Sequence, residues 1–359
     1  MTETPPRKVR VALVFGGRSG EHAISAATAA GVMRAIDRDT YDVLPVGITR
    51  EGQWVLAPDD PARWELAADR LPEVTTDAGP ALASLGEAGP VDVVFPLLHG
   101  PYGEDGTIQG LLELAGVRYV GAGVLASAVG MDKHYMKLVF AGHGLPVGPY
   151  VVVLPRAWEQ DPSAVVDRVQ AELRFPVYVK PARAGSSLGV TRVEDLTGLA
   201  DAIEEARAHD PKVLVEQALA GREIECAVLG GRAGGPTRAS VPGEIVVDHD
   251  AADFYDFEAK YLSDSQARTQ APADLPDDVA ERVRALAVQA FEAIGGEGLS
   301  RVDVFVAPDG DVVINEINTM PGFTPISMYS KMWEASGLAY TDLVGELIQL
   351  ALERPVGLR

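Results

Sequence analysis

Short apolar runs that alternate with helical patterns fill much of the first 120 residues and constrain the fold most strongly. Residues 9–15, 41–48 and 91–95 are each apolar enough to be buried strands, and an alanine-rich helical pattern over 24–36 joins the first two. Continuous apolar runs of this length are typical of strands that are buried in a parallel sheet. Strands that alternate with helices predict a doubly wound parallel sheet, and hence an α/β fold. Residues 57–90 are rich in Pro, Gly and Ala with weak periodicity, and their structure stays open.

A second unit, over residues 122–218, has the signals of a β–α–β-like block. Helical patterns and strand patterns alternate along it, at 126–141, 150–154, 164–173, 177–180, 196–208 and 212–216. A loop rich in Gly and Ser, residues 183–189, follows the strand that ends at Lys180.

A third unit, over residues 219–359, begins with a strand at 222–230. A Gly- and Pro-rich turn with a second strand over 230–243, a polar and aromatic loop over 253–269, and helices over 277–294 and 341–352 follow. With 359 residues, the chain is long enough for three domains, and we predict that the first spans residues 1–121. Thr107 is positioned to cap the helix that follows the turn-dense segment 98–106.

Composition excludes several classes of partner. The chain carries 31 Lys and Arg against 52 Asp and Glu, a formal net charge of −21, which argues against a nucleic acid or an anionic membrane as partner. The single cysteine, Cys226, permits no internal disulfide and fits a reducing cytoplasm. Residues 1–8 are polar, no apolar signal segment follows, and no apolar run has spanning length. We therefore expect a cytoplasmic protein.

A predicted hairpin near the C-terminal end brings together side chains that can bind a metal. Residues 301–305 and 312–314 are strand-like, and Asp309-Gly310 between them is a strong turn signal. Side chains two apart on a strand share a face, so Asp303, Glu316 and Asn318 form a cluster of oxygen ligands. Hard oxygen ligands that leave positions for water and phosphate favour Mg²⁺ over Zn²⁺.

The loops rich in glycine do not match the common nucleotide motifs. Residues 16–21 lack the middle glycine of the dinucleotide fingerprint, and 183–189 lack the ending of a P-loop. Lys133 and Lys180 are each either phosphate ligands or solvated lysines. Together with the carboxylates of Asp303 and Glu316 and with the loop 183–189, the two lysines favour phosphoryl transfer. Neutralisation of the phosphate charge accounts for most of the catalysis in such reactions.

Other candidate residues carry weaker signals. Glu216 and Glu223 could accept hydrogen bonds from adenine and ribose, or could be solvated charges at a strand edge. Residues 254–261 mix aromatic and charged side chains, which favours a lid that excludes water over a disordered loop. His99 is more typical of a structural hydrogen bond than of a base. The sequence has no nucleophile elbow, and Cys226 has no evident activating partner, so covalent catalysis is disfavoured.

Seven segments, taken in order, resemble one family, the D-alanine–D-alanine ligases, which are ATP-grasp enzymes. They span nearly the whole chain: GGRSGEH at 16–22, LHGPYGEDGT at 98–107, MDK at 131–133, KPARAGSSLG at 180–189, FYDFEAKY at 254–261, RVD at 301–303 and EINTMPG at 316–322. The resemblance implies an N-terminal α/β domain followed by a two-domain ATP-grasp, with ATP between the central and C-terminal domains. It also implies an ATP-dependent ligase that makes a dipeptide of two D-alanines for peptidoglycan, through an acyl phosphate. It further implies a homodimer.

The resemblance also assigns roles in binding nucleotide and metal. Lys133 and Lys180 would contact the ATP phosphates, and Lys260 would reach the γ-phosphate from the lid. The remaining nucleotide positions match Ser186, Ser187, Glu216, Glu223 and Asn315. Asp303, Glu316 and Asn318 would hold two Mg²⁺ ions, for which Mn²⁺ could substitute.

A further set of roles concerns the amino-acid substrates. Glu21 matches the residue that pairs with the ammonium group of the first D-alanine, and Ser186 and Tyr261 match its hydrogen-bonding partners. Arg301 and the Gly322 N–H would stabilise the oxyanion of the tetrahedral intermediate. The second D-alanine would be held through its carboxylate by Ser327 with Lys260, and His99 would also lie at the substrate.

Two alternatives stay open at this stage. A ligase of the same fold could use D-lactate or D-serine as its second substrate, although Tyr261, which the D-lactate enzymes lack, disfavours D-lactate. A nucleotide-sensing module without catalysis could also keep this fold. It would not need the full set of Arg301, Lys260 and the metal ligands, so the site favours an enzyme.

Overall fold

The structure is a computed structural model that describes residues 7–66, 71–247 and 267–356. Its strands form three sheets, and the segments that the sheets occupy follow one another along the chain. The predicted lid, residues 254–261, lies outside the described residues. The predicted α/β class is confirmed, and the three domain boundaries stay a prediction.

The first sheet is mostly parallel, as predicted. Its strands are β1 (Val9–Gly16), β2 (Tyr41–Ile48), β3 (Trp54–Leu56), β4 (Ala81–Leu82), β5 (Val93–Pro96) and β6 (Arg118–Tyr119). They lie in the order β4-β3-β2-β1-β5-β6, and β2, β1, β5 and β6 run parallel. The two short strands β3 and β4 add an antiparallel edge, which the sequence pattern did not reveal.

Helices cover both faces of this sheet. The first is α1 (His22–Ala35), almost wholly buried along its length, and the second is α2 (Thr107–Leu114). The prediction that Thr107 caps α2 is wrong, because Thr107 is its first helical residue. The carboxylate of Asp105 instead accepts a hydrogen bond from the Thr107 backbone N–H at 2.9 Å, and Gly106 makes the turn in the left-handed region, with φ 92°.

The segment left open by the sequence folds against the first sheet. Its described residues form 3₁₀ turns at Pro61–Trp64, Thr76–Ala78 and Leu85–Ala88. The Trp64 ring is fully buried and packs edge-on against Phe15, with centroids 5.0 Å apart. The imidazole of His22 joins this segment to the loop after β1, because its Nε2 accepts from the Val74 N–H at 2.9 Å and its Nδ1 lies 2.6 Å from the Gly17 carbonyl oxygen.

The helix predicted over 126–141 is two helices, α3 (Val124–Met131) and α4 (Lys133–Gly142). The break is at Asp132, whose backbone is extended and whose carboxylate accepts hydrogen bonds from the N–H groups of His134 and Tyr135. An aspartate in this position is a strong N-cap. The break makes Lys133 the first residue of α4.

The second sheet is antiparallel between every pair of neighbours, in the order β7-β10-β8-β9. Its strands are β7 (Tyr150–Val153), β8 (Val177–Pro181), β9 (Thr191–Val193) and β10 (Val213–Gln217), and its helices are α5 (Pro155–Gln160), α6 (Pro162–Glu172) and α7 (Leu199–Arg207). Both β7 and β8 pair antiparallel with β10, so they run in the same direction. The predicted β–α–β-like block is therefore a split one, with β10 inserted.

The third sheet has the order β14-β13-β11-β15-β16, with β12 paired to β11. Its strands are β11 (Arg222–Leu229), β12 (Arg238–Ala239), β13 (Gly243–Val247), β14 (Ala267–Gln270), β15 (Leu299–Val306) and β16 (Val312–Asn318), and α8 (Asp277–Ala293) packs on it. The prediction of a loop over 253–269 is wrong at its end, because Ala267–Gln270 forms a strand.

The last two helices return to the first sheet. They are α9 (Met328–Ala335) and α10 (Tyr340–Glu353). Buried residues of α10, such as Leu347, share one hydrophobic core with Phe15 of β1 and Phe95 of β5. The first sheet is therefore covered on one face by helices from the other end of the chain, and this packing holds the C-terminal hairpin close to the loops that follow β1 and β5.

Candidate active site

The hairpin of β15 and β16 places its polar side chains opposite one another. Asp303 pairs with Glu316, and Arg301 pairs with Asn318. The register shifts between Asp303 and Val304, so that Asn315 is the extra residue of a β-bulge. Asp303, Glu316 and Asn318 lie close together, as predicted.

Arg301 is the positive centre of this hairpin. Its Nε and Nη2 atoms each donate to an Asp303 carboxylate oxygen at 2.6 Å, and Nε lies 3.4 Å from Oε1 of Glu225. Burial lowers the pKa of the guanidinium, but the carboxylates of Asp303 and Glu225 outweigh burial and raise it well above its usual value. Arg301 is therefore a fixed cation that is aimed by two buried carboxylates.

The side chains of the three predicted metal ligands lie close to one another. Asn318 Nδ2 lies 3.1 Å from Asp303 Oδ2 and 3.5 Å from Glu316 Oε1. Rotating this amide by half a turn puts its oxygen in the same place, next to both carboxylates. Two carboxylates and an amide fit Mg²⁺. Among the described residues, no group of three or more His, Cys, Asp and Glu side chains could hold a metal ion.

Glu21 lies across the cleft from the hairpin, at the start of α1. The Ser186 hydroxyl donates a hydrogen bond to its Oε1. Ser186 and Ser187 both have left-handed backbones, with φ 50° and 58°, a conformation that costs energy for residues other than glycine. Gly100 also approaches closely, because a Cβ there would lie 2.5 Å from Oε2 of Glu21. Glycine is therefore required at position 100 to make room for the Glu21 carboxylate.

A second carboxyl group, that of Glu104, lies beside Glu21, and our sequence analysis did not single it out. Its Oε1 accepts from the Gly100 N–H at 2.7 Å. Burial, and then the neighbouring Glu21 carboxylate, raise the pKa of Glu104 to about 8. The signal in the sequence was its place in the segment 98–107, although its burial could not be read there. At neutral pH this carboxyl group is mostly protonated.

The raised pKa of Glu104 predicts how folding stability depends on pH. Between about pH 4.5, the ordinary value, and about pH 8, the folded state holds a proton that the unfolded chain has lost. The contribution of Glu104 to stability therefore falls as pH rises through this window. We expect Glu104→Gln to remove that decline.

Urea unfolding of both proteins at several pH values measures this effect. The difference in free energy of unfolding between wild type and Glu104→Gln should change between about pH 4.5 and about pH 8. For Glu334→Gln, a change at an exposed carboxylate on α9, the difference from wild type should stay constant. A constant difference for Glu104→Gln as well would contradict the raised pKa.

His99 is buried and has both ring nitrogens occupied by protein groups. Nδ1 lies 3.1 Å from the Met320 carbonyl oxygen and Nε2 lies 3.0 Å from the Thr28 hydroxyl. Burial lowers the pKa of this imidazole. His99 therefore links α1 to the loop after β16, and its predicted contact with substrate stays a prediction.

A cleft of about 450 Å³ unites most of the predicted residues. The predicted side chains and backbone that line it are Glu21, His99, Lys133, Ser186, Arg301, Glu316, Asn318, Gly322 and Ser327. Lys133 Nζ lies 3.3 Å from Glu316 and donates to the Ala184 carbonyl oxygen at 2.9 Å. It thus connects the hairpin with the loop 183–189. Asp303 lies beneath the cleft surface, next to Arg301.

The other predicted nucleotide residues lie outside the lining of this cleft. Lys180 Nζ is 2.7 Å from Oε2 of Glu216, and the two side chains form a buried ion pair. Burial lowers the pKa of Lys180, but the carboxylates of Glu216 and Glu316 raise it by more. Glu223 is exposed on β11. The predicted Ser187 and Asn315 also lie outside the lining, and Lys260 and Tyr261 are outside the described residues.

Comparison with known proteins identifies the family. The family model described as the D-ala D-ala ligase N-terminus matches residues 10–122, and the one described as the D-ala D-ala ligase C-terminus matches residues 139–349. A protein of Pseudarthrobacter chlorophenolicus named D-alanine–D-alanine ligase is 60% identical over 98% of this chain and 96% of its own length. The chain belongs to the D-alanine–D-alanine ligase family. A protein of the same name from Streptomyces coelicolor is 56% identical over 98% of this chain and 95% of its own length.

Two solved structures are similar to this chain over nearly its whole length. The D-alanine–D-alanine ligase from Coxiella burnetii has a TM-score of 0.82 and 36% identity, over 97% of this chain and 95% of that chain. The VanG D-Ala:D-Ser ligase from Enterococcus faecalis has a TM-score of 0.80 and 34% identity, over 96% of this chain and all of that one. The ATP-grasp fold that the resemblance implied is thereby confirmed. None of the described helices is long and apolar enough to span a bilayer.

Proposed function

We propose that this chain is an ATP- and Mg²⁺-dependent ligase that joins two D-alanines, with release of ADP and phosphate, for the synthesis of peptidoglycan precursors. The observation that carries this proposal is the single cleft in which Glu21, hydrogen-bonded by Ser186, faces Arg301, Gly322 and Glu316. An anion on one wall and a fixed cation on the other match an amino acid whose ammonium and carboxylate groups must be oriented.

In the first step, the carboxylate of the first D-alanine attacks the γ-phosphorus of ATP, and ADP leaves. Because both reactants are anionic, positive charge must screen their approach. Lys133 at the hairpin and Lys180 beside it supply that charge, together with Lys260 of the lid. Glu21 holds the ammonium group, so that the carboxylate points towards the lysines. The product is D-alanyl phosphate.

In the second step, the amine of the second D-alanine attacks the carbonyl carbon of D-alanyl phosphate. Negative charge develops on the carbonyl oxygen, and Arg301 with the Gly322 N–H stabilises it. Ser327, at the start of α9, holds the carboxylate of the second D-alanine. Collapse of the intermediate completes the peptide bond and breaks the bond to phosphate, which leaves with the proton that the amine loses. By resemblance, Tyr261, which lies outside the described residues, would join Ser186 at Glu21.

Asp303, Glu316 and Asn318 would hold the metal ions, either two Mg²⁺ or Mn²⁺ in their place. When bound, such ions neutralise charge on the transferred phosphate. The contribution of the chain is to fix the three oxygen ligands on adjacent strands, with Arg301 beside Asp303 and Lys133 beside Glu316. By resemblance, Glu216 and Glu223 would accept hydrogen bonds from the adenine and ribose, and Ser187 and Asn315 match further nucleotide positions.

D-Alanine is the proposed second substrate, with D-serine and D-lactate as the alternatives. The relatives named D-alanine–D-alanine ligase reach 60% identity, whereas the D-Ala:D-Ser ligase of Enterococcus faecalis is 34% identical. Tyr261 favours an amine over D-lactate by resemblance. We further propose that the enzyme is a homodimer, which the family resemblance supports. We also propose that it is cytoplasmic, because its single cysteine fits a reducing compartment.

A phosphate-release assay tests the proposed activity. Purified protein with ATP and Mg²⁺ should release phosphate with D-alanine, at a rate at least about a hundredfold above that with L-alanine, and chelation of the metal should stop it. Release that needs D-lactate in addition to D-alanine would overturn the proposed second substrate.

A further inference from the structure

A buried cluster next to the cleft contains one carboxylate and two lysines. Glu216 on β10 lies 2.7 Å from Nζ of Lys180 through Oε2, and 3.3 Å from Nζ of Lys137 through Oε1. The side chains of Glu216, Lys180 and Lys137 are 12%, 10% and 2% exposed. Lys137 has no role in the reaction described so far, and our sequence analysis did not single it out.

Lys137 is placed to act together with Lys133. Both lie on α4, four residues apart, and residues with this spacing share a helix face. Lys133 reaches Glu316, while Nζ of Lys137 lies 3.5 Å from the carbonyl oxygen of Asn315 and 5.7 Å from the centre of the Tyr150 ring. The two lysines of this helix therefore contact consecutive residues of the hairpin.

Lys180 has two anionic partners to satisfy, Glu216 and the ATP phosphates, and Lys137 is a second cation beside Glu216. The proposed role of Lys180 is to contact the ATP phosphates, yet in the structure it is paired with Glu216. If Lys180 turned to a phosphate and Glu216 had no other cation, the bound state would contain a buried carboxylate without a counter-charge. Such a group is costly. Lys137 supplies the second cation.

We propose that Lys137 is a positioning residue that keeps Glu216 neutralised when ATP draws Lys180 towards its phosphates. This inference rests on the proposed function, because it names a residue that serves nucleotide binding by that same site. Lys137 acts through Glu216 and Lys180. Its Nζ forms an ion pair with Oε1 of Glu216, whereas Lys180 pairs with Oε2, and the same Nζ lies 3.5 Å from the carbonyl oxygen of Asn315 in the hairpin.

Lys137→Met tests the inference by removing the charge while keeping a long apolar side chain. We expect the Kd for a non-hydrolysable ATP analogue, measured by calorimetry, to rise at least about tenfold. The KM for ATP should rise in parallel, while kcat at saturating ATP and the KM for D-alanine stay within about threefold of wild type. If Lys137→Met does not fold, Lys137→Gln carries the same expectation.

A double-mutant cycle with Glu216→Gln separates this role from the alternatives. With Gln at position 216 there is no carboxylate to neutralise, so adding Lys137→Met should change the Kd for the analogue by less than about threefold. The matched control is Lys212→Met. It removes another mostly buried lysine of an ion pair, with Asp132, and should leave the Kd within about threefold of wild type.

The outcomes distinguish this inference from the proposed function. An unchanged analogue Kd in Lys137→Met would overturn the inference, and so would a tenfold loss that persists beside Glu216→Gln, since that would mean direct contact between Lys137 and the nucleotide. Wild-type protein that binds the analogue but makes no ADP with D-alanine would instead overturn the proposed function. The binding cycle would still decide the role of Lys137.

Discussion

Replacing Arg301 by alanine is expected to lower kcat by about a hundred- to a thousandfold, the usual cost of losing a group that stabilises an oxyanion. Its guanidinium lies between Asp303 and Glu225 and lines the cleft opposite Glu21. Negative charge on the carbonyl oxygen appears only after D-alanyl phosphate is attacked, so the loss falls on the later charged state. The Kd for ATP should change by less than about threefold, because the proposed nucleotide ligands are other residues.

Steady-state kinetics measures the loss of kcat in Arg301→Ala, and calorimetry measures its Kd for ATP. The matched control is Arg38→Ala, which also removes a two-bond pair, in this case with Asp59 at 2.6 and 2.7 Å on the surface of the first sheet. That control should keep wild-type kcat. Loss of ATP binding in Arg301→Ala, at unchanged thermal stability, would refute the assignment to the oxyanion.

Replacing Glu316 by glutamine is expected to lower kcat by about a thousandfold at millimolar Mg²⁺, and to shift the Mg²⁺ dependence to higher concentration. Glutamine keeps the size of the side chain and can still contact Asn318 and Lys133, so the change isolates one negative charge. Glu316 and Asp303 supply the two carboxylates of the proposed metal site. Fewer charges bind a hard cation less tightly.

A titration of activity with Mg²⁺ measures the effect of Glu316→Gln, with Asp311→Asn as the matched control. Asp311 is an exposed carboxylate immediately before the same hairpin strand, and its loss should not alter the curve. Equal Mg²⁺ dependence of wild type and Glu316→Gln would contradict the assignment of Glu316 to the metal.

Local signals predicted the hairpin well because each of them is read over a few residues. The turn at Asp309-Gly310 predicts the hairpin, but a regular register counted from that turn pairs Asp303 with Asn315. The bulge at Asn315 moves Glu316 opposite Asp303. The bulge at Asn315 has no comparable signal. The break between α3 and α4 is also local, and the N-cap preference of Asp132 could have indicated it.

Features that depend on distant packing could not be read in the same way. The cover of the first sheet by α10 joins residues that are more than 300 positions apart, as in the hydrogen bond from Gln349 to the Tyr41 hydroxyl. The pKa of Glu104 is raised by its burial and by the charge of Glu21, which is distant in sequence. Lys137 looks like any helical lysine until β10 places Glu216 against it.

Identification of the product tests the central claim most directly. The protein is incubated with ATP, Mg²⁺, and equal concentrations of D-alanine, D-serine and D-lactate, and the products are separated by chromatography and weighed by mass spectrometry. We predict D-alanyl-D-alanine as the main product, with one ADP formed for each dipeptide. A main product that contains D-serine or D-lactate, or ADP formation without any dipeptide, would contradict the account.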